Sequence, residues 1–290
     1  MRIAYLLLCH KNEEQVETLI DQLSSDNVDF YIHIDKKSCC FLLQERSNVF
    51  ILPQKDRVDI RWATYSMIRA ELNLIGFVLK SQRQYDYIGL LSGQDFPVKT
   101  NQFIEDFLTK NMGEEFIEVI DHSDIRFHRY LKRTNVYYPE FLQKRSSVSK
   151  IARKIYMILT GYPSTAKVFS RSNPMDFEFE FGSQWWLLSY DCIKWIDCFL
   201  RQHREYCLYF SHAMTPDECF FQTLLVASPF NQQIRDRVTY LEWNDDQNHP
   251  KSIDKNVVDQ LINSERYLFC RKIDDIEIAK EIVQILKRKQ

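Results

Sequence analysis

The tetrapeptide Thr215-Pro216-Asp217-Glu218 is the arrangement in this chain best suited to proton transfer. Thr at an N-cap, Pro at the first helical position and Glu at the third also form a capping box for the apolar stretch 219–226. A carboxylate at a helix N-terminus is kept ionised and oriented by the dipole, so Glu218 could instead accept a proton from an attacking hydroxyl. Both readings stand, with Asp217 able to assist the cap. The loop Ser92-Gly93-Gln94-Asp95-Phe96-Pro97 follows an apolar run. Gly93 there allows close backbone approach to a ligand, and Asp95 either contacts that ligand or caps the turn before Pro97. His33-Ile34-Asp35 puts two polar side chains on one face of a strand end. Either His33 packs in the core and Asp35 caps a turn, or Asp35 accepts hydrogen bonds from a ribose or base.

No D-x-D occurs in the sequence, although a metal bridging a nucleotide diphosphate normally needs such paired carboxylates. The 7 histidines lack H-x-x-x-H or H-E-x-x-H spacing, so a chelated metal is not expected. Positive charge for a diphosphate would come from Arg and Lys. Lys251 after His249-Pro250, and Arg271-Lys272 after the strand-like 267–270, are the candidates, with ordinary surface charge as the alternative. A Cys/His pair brought together only in space stays open.

These residues need elements to hold them. Residues 3–8 form a continuous apolar run, as a buried parallel strand does. Helical spacing of Val16, Leu19, Ile20 and Leu23 predicts a helix over 13–23. Strands are predicted at 29–34, 49–52, 87–91 and 116–120, and helices at 65–79 and 101–108. This alternation implies a mostly parallel, doubly wound α/β sheet, whose ligands bind beyond the carboxyl ends of strands. His10, Asp35 and Asp95 lie there. Phe177-Glu178-Phe179-Glu180-Phe181 alternates with period two and predicts a half-buried strand. Helices are predicted over 190–203, 216–226 and 274–289.

The chain has 290 residues and 6 glycines, far below the usual ~7%. Neither G-x-G-x-x-G, a phosphate-binding G-x-x-x-x-G-K-[ST], nor a G-x-S-x-G elbow is present. Net charge is −2, which argues against nucleic acid as a partner. Eight cysteines without C-x-x-C spacing fit reduced, mostly buried thiols rather than a zinc or disulfide framework. The apolar stretch before His10 is marginal for a signal peptide, and no run approaches the ~18 apolar residues of a membrane span. A cytoplasmic protein is expected, peripheral at the inner face of the membrane.

Residues 126–154 are exceptional, with nine cations against the single acid Glu140. They form either a solvated face or a surface for an anionic partner, such as a membrane, a lipid-linked diphosphate or an acidic glycan. Residues 150–159 can be drawn as a basic amphipathic helix. The interleaved Phe127, Tyr130, Tyr137, Tyr138 and Phe141 could stack on sugars.

Segments 3–12, 31–37, 62–68, 85–100, 182–189 and 215–225 occur in the order found in the core-2/I-branching glycosyltransferases, and the chain resembles that family over most of 1–272. Ser-Gly-x-Asp-x-Pro and Pro-Asp-Glu are the most specific parts; 120–175 matches least. The family includes β-1,6-N-acetylglucosaminyltransferases and peptide O-xylosyltransferases. The resemblance implies a GT-A-like single domain over 1–290: a nucleotide-sugar half at 1–120, a variable basic acceptor-side segment at 121–175, and a catalytic and acceptor half at 176–290. It also implies a UDP-sugar donor, with GlcNAc or xylose as the sugar, a glycan or lipid-linked glycan acceptor, inversion at the anomeric carbon, and no metal or other cofactor. Carried over by motif, Glu218 is the catalytic base and Lys272 binds the diphosphate, with Arg271 or Lys251 as its partner. Asp35 contacts the nucleoside, His10 and Asp95 lie on neighbouring donor loops, and Trp185, Trp186 and Asp217 face the acceptor. Lacking an anchor, stem and disulfide set, the chain is expected to be a compact bacterial relative acting on a surface-polysaccharide precursor. A non-catalytic sugar-nucleotide or glycan binder, and a glycoside hydrolase pairing Glu218 with Asp95, are the alternatives.

Overall fold

The computed structural model describes every residue except 39, 40, 136, 139–146, 161–172, 174, 243–250 and 290. Cys39, Cys40, Glu140, Phe141, Lys144, Arg145 and His249 therefore lie outside the described residues. The elements run β1 (Ile3–Cys9), α1 (Glu13–Leu23), β2 (Val28–Ile34), β3 (Val49–Ile51), α2 (Ser66–Lys80), β4 (Tyr87–Ser92), β5 (Asp95–Pro97), α3 (Asn101–Lys110), β6 (Glu115–Ile117), α4 (Ile125–Asn135) and α5 (Ser147–Thr160). They continue β7 (Trp186–Ser189), α6 (Tyr190–Gln202), α7 (Arg204–Phe210), α8 (Phe220–Val226), β8 (Ile234–Arg235), β9 (Thr239–Leu241), α9 (Lys255–Asn263), β10 (Phe269–Arg271) and α10 (Ile276–Lys287).

The central sheet has the order β3-β2-β1-β4-β7-β6-β8. β1, β2, β3 and β4 pair in parallel, and β7 alone is antiparallel to its neighbours β4 and β6. This is the mostly parallel α/β architecture that the alternation of elements leads one to expect. β1 is buried along its whole length because its two faces feed two cores. Ala4, Leu6 and Leu8 pack with α2, α6 and α8 on one side, while Ile3, Tyr5, Leu7 and Cys9 pack with α1, α3, α9 and α10 on the other. A second sheet, β5-β10-β9, brings Arg271 opposite Asp95 in antiparallel register.

Two expected elements do not form. Residues 177–181 make no strand. Their backbone bonds go to a side chain and a loop instead, Glu180 N–H to Thr223 Oγ1 at 3.0 Å and Ile120 N–H to the Phe181 carbonyl at 2.8 Å, while Phe179 and Phe181 fill the α2-side core. The capping box is also absent. Thr215 is left-handed (φ 50°) with no side-chain cap, and its N–H donates to the Ala63 carbonyl at 3.1 Å. Pro216–Glu218 form a separate 3-10 turn, and α8 starts only at Phe220.

Of the described cysteines none is in a disulfide; Cys9, Cys192, Cys219 and Cys270 are buried. No described helix is long and apolar enough to cross a membrane. His33 takes its core role: fully buried, it accepts the Val58 N–H at 2.8 Å, and burial pushes its pKa down to about 4. The unfolded chain binds a proton here near pH 6.5 and the folded one does not, so stability is lost as pH falls through that interval. Going from pH 7.5 to 5.5 is expected to cost about 1 kcal/mol through this group. Urea titrations should show His33→Gln with a flatter pH dependence than the wild type.

Candidate active site

A cavity of about 560 Å³ opens where β1, β2 and β4 end, the position at which a parallel sheet offers unpaired backbone groups and loop side chains to a ligand. His10 follows β1, Asp35 follows β2 and Ser92 ends β4; all three line it. The second half of the chain adds further lining: Trp185, the turn carrying Asp217 and Glu218, and Arg271 with Lys272 at the end of β10.

Arg271 is the most constrained of these cations. Its Nη1 donates to Asp95 Oδ1 at 2.9 Å and to Ser92 Oγ, and its guanidinium lies 4.3 Å from the Trp185 ring centroid. Asp95 is fully buried and is not part of the cavity wall. Burial pushes its carboxyl up, against the pull of Arg271. The direct donor contact expected of Asp95 is therefore replaced by a positioning role behind Arg271, and the hydrolase pair Glu218–Asp95 does not assemble.

Lys272 Nζ lies 2.8 Å from Asp274. Asp274 also meets Lys11 at 3.3 Å and accepts from Ser252 Oγ at 2.6 Å and from Gln94 Nε2. Burial opposes ionisation of Asp274, but Lys272, Ser252 and Lys11 together hold it well below the usual carboxylate range. Behind this cluster, buried Gln15 on α1 donates to the Gly93 and Ile273 carbonyls, both at 2.9 Å, and ties the two loops together. Lys251 does not join them. It pairs with Glu242 at 3.2 Å and is not on the cavity wall.

Glu218 reaches the cavity because the failed capping box leaves it on the 3-10 turn. The turn is held by Gly182, whose N–H donates to the Glu218 carbonyl at 3.0 Å. A Cβ at Gly182 would sit 1.9 Å from the Glu118 carbonyl oxygen, so only glycine lets this segment pass the backbone just after β6. Beneath the turn, Glu71 on α2 is fully buried; burial raises its pKa strongly, opposed by its bond from Gln184 Nε2 (2.6 Å) and reinforced by the charge of Asp217. Gln184 itself lines the cavity.

Gly93 is also reassigned. A Cβ there would meet Val16 of α1 at 2.7 Å, so the close approach is to a helix and not to a ligand. Trp186, expected beside the acceptor, is buried in the core with its ring 5.5 Å from Phe221. Trp185, just before β7, lines the cavity and Trp186 does not. Asp35 combines both readings: Oδ1 accepts the Lys37 N–H at 3.0 Å, closing a turn, and the residue still lines the cavity. Sequence reasoning missed Lys37, Arg61 and the exposed Trp62 at this cavity. Lys37 and Trp62 lay within the matched segments 31–37 and 62–68; Arg61 fell just outside them. Among the described residues no three His, Cys, Asp or Glu side chains converge as a metal site.

Cations, indole rings and carboxylates line one α/β cavity, a lining suited to an anionic, partly apolar ligand. The Core-2/I-Branching enzyme family model matches residues 3–264, and the chain belongs to that family. It is 25% identical over 261 residues to xylosyltransferase 2 of Rattus norvegicus, covering 84% of this chain and 27% of the relative. It is 24% identical over 259 residues to beta-1,3-galactosyl-O-glycosyl-glycoprotein beta-1,6-N-acetylglucosaminyltransferase 4 of Danio rerio, covering 83% and 56%. The chain thus spans only part of these relatives. Among solved structures, the WbbM bifunctional glycosyltransferase aligns at TM-score 0.42 and 8% identity, covering all of this chain and 52% of that one. Mouse xyloside xylosyltransferase 1 aligns at TM-score 0.37 and 11% identity, covering 92% and 97%.

Proposed function

We propose that this protein is an inverting, metal-independent glycosyltransferase that moves a sugar, GlcNAc or xylose, from a UDP-sugar to a hydroxyl of a glycan acceptor in cytoplasmic assembly of a surface polysaccharide. One observation carries the reading: Glu218 and the Arg271–Lys272 pair line the same cavity. Glu218 takes the acceptor hydroxyl proton as that oxygen bonds to the anomeric carbon. The bond from the anomeric carbon to the diphosphate breaks on the opposite face, and its electron pair leaves with UDP. Arg271 and Lys272 neutralise the growing charge on the leaving oxygen from fixed positions, held by Asp95 and Asp274.

The test is a panel of UDP-sugars assayed for thermal stabilisation, slow donor hydrolysis and transfer. Stabilisation by one UDP-sugar together with its slow turnover is expected. UDP binding without any turnover would leave a sugar-nucleotide binder, and release of sugar from a glycan without nucleotide would leave a hydrolase. Turnover is expected to persist in excess EDTA, since side-chain cations occupy the wall where a metal would otherwise be needed. Full dependence on Mn²⁺ would overturn this mechanism. Lys272→Ala is expected to raise the donor KM roughly 10–100-fold, the worth of a charged hydrogen bond. Lys251→Ala, removing an exposed pair outside the cavity, should stay within about twofold.

A further inference from the structure

Helix α5 leaves its apolar side uncovered. Val148, Ile151, Ile155, Ile158 and Leu159 are 77, 62, 52, 70 and 71% exposed. At about 100° per residue these five fall within one arc of about 100°, a continuous stripe and not scattered surface residues. Tyr156 lies outside that arc and attaches the helix to the body, its hydroxyl donating to the Tyr137 carbonyl. Tyr137 in turn packs its ring 4.6 Å from His212, and Tyr138 N–H donates to the His212 carbonyl at 2.8 Å. His212 precedes the Thr215–Glu218 turn by three residues, so the helix is attached to the body close to that turn.

Charge selects the occupant. Residues 147–160 contain Lys150, Arg153 and Lys154 and no acid, and Lys154 is exposed. The surrounding stretch 126–154 carries nine cations against one acid. A second copy docking stripe to stripe would bring these cations together, and no acid on the helix could offset them. An anionic bilayer satisfies both features, accepting the apolar arc below its headgroups and attracting the positive charge of the segment. At ~1.5 Å per residue the 14-residue helix is about 21 Å long, too short to span ~30 Å of hydrocarbon but suited to lying in the interface.

We propose that α5 docks the protein on the surface of an anionic phospholipid bilayer, with Val148, Ile151, Ile155, Ile158 and Leu159 inserted among the acyl chains. The proposal stands independently of the reaction assigned to the cavity. The test is flotation of the full chain with phosphatidylcholine vesicles, alone or with about one-third phosphatidylglycerol, at low and high salt. Binding to the anionic vesicles is expected, weakened by salt. Ile151→Ser/Ile155→Ser/Ile158→Ser should lower the bound fraction at least about tenfold, with circular dichroism and UDP binding in solution unchanged. Lys154→Glu, which leaves the stripe intact, should shift the salt dependence and guards against misfolding of the triple variant. Failure to bind anionic vesicles, equal binding to neutral ones, or equal binding by the triple variant would each overturn the proposal. So would a concentration-dependent dimer abolished by the triple variant, which would make the stripe an interface between copies. Loss of vesicle binding with UDP binding retained refutes this surface alone, and the reverse refutes only the donor site.

Discussion

Glu218→Gln is expected to fold normally, to bind UDP as the wild type does, and to lose roughly 10²–10⁴-fold in kcat. The amide keeps the shape and one acceptor oxygen of the carboxylate but cannot take a proton at neutral pH. The turn that carries the residue is held by main-chain bonds, the Gly182 N–H to the Glu218 carbonyl and the Glu218 N–H to the Thr215 carbonyl, and neither depends on the side chain. The cations proposed to hold the donor lie on a different element, at the end of β10, so donor affinity should be untouched. Turnover with saturating donor and acceptor, measured beside UDP titration calorimetry, separates the two effects. Turnover within about threefold of wild type would move the base elsewhere, with Asp217 on the same turn the first alternative. Asp217→Asn is the matched control.

Arg271→Met is expected to damage stability and donor binding together. Asp95 is fully buried and depends on Arg271 for its ionic partner. Removing one member of a buried pair costs about 3–5 kcal/mol, and losing a charged donor to the diphosphate should weaken UDP binding roughly 10–100-fold. The stability loss has a predictable pH dependence. Burial already raises the Asp95 carboxyl, and without Arg271 only the hydrogen bonds from Ser92 oppose it. A carboxyl whose folded pKa is raised favours folding below its unfolded pKa near 3.9, and that advantage disappears as pH rises through the folded value. The deficit of Arg271→Met should therefore be small near pH 4.5 and larger at pH 8. Adding Asp95→Leu should restore much of the stability without restoring UDP binding. If the double variant regains UDP affinity, Arg271 is a structural residue and Lys272 alone serves the diphosphate.

The elements themselves were legible where one physical effect dominates. The residues of α1 alternate between core and water at helical spacing, and its observed bounds, Glu13–Leu23, coincide with that periodicity. Strand β1 reads as buried because both of its faces are covered. The period-two pattern of 177–181 misleads because alternation reports which side chains are buried, while a strand also needs a neighbour with free backbone groups. Here a threonine hydroxyl and a loop take those bonds. The capping box misleads for a similar reason, since Ala63 captures the Thr215 N–H from far along the chain.

By itself the sequence determined the order β1-α1-β2-β3-α2-β4 that opens the fold, the absence of glycine-rich phosphate loops, and the placement of His10, Asp35 and the 92–97 loop at strand ends. Each follows from local composition and periodicity. Tertiary structure decided which polar groups face one another. It put Asp95 behind Arg271, 176 residues away, and withdrew Trp186 and Lys251 from the cavity. It brought in Lys37, Arg61 and Gln184, and turned Glu218 toward the cavity instead of a helix cap. Such pairings depend on which loops the folded sheet brings together at its carboxyl edge, and no pattern within a single segment encodes the side chain that will stand opposite.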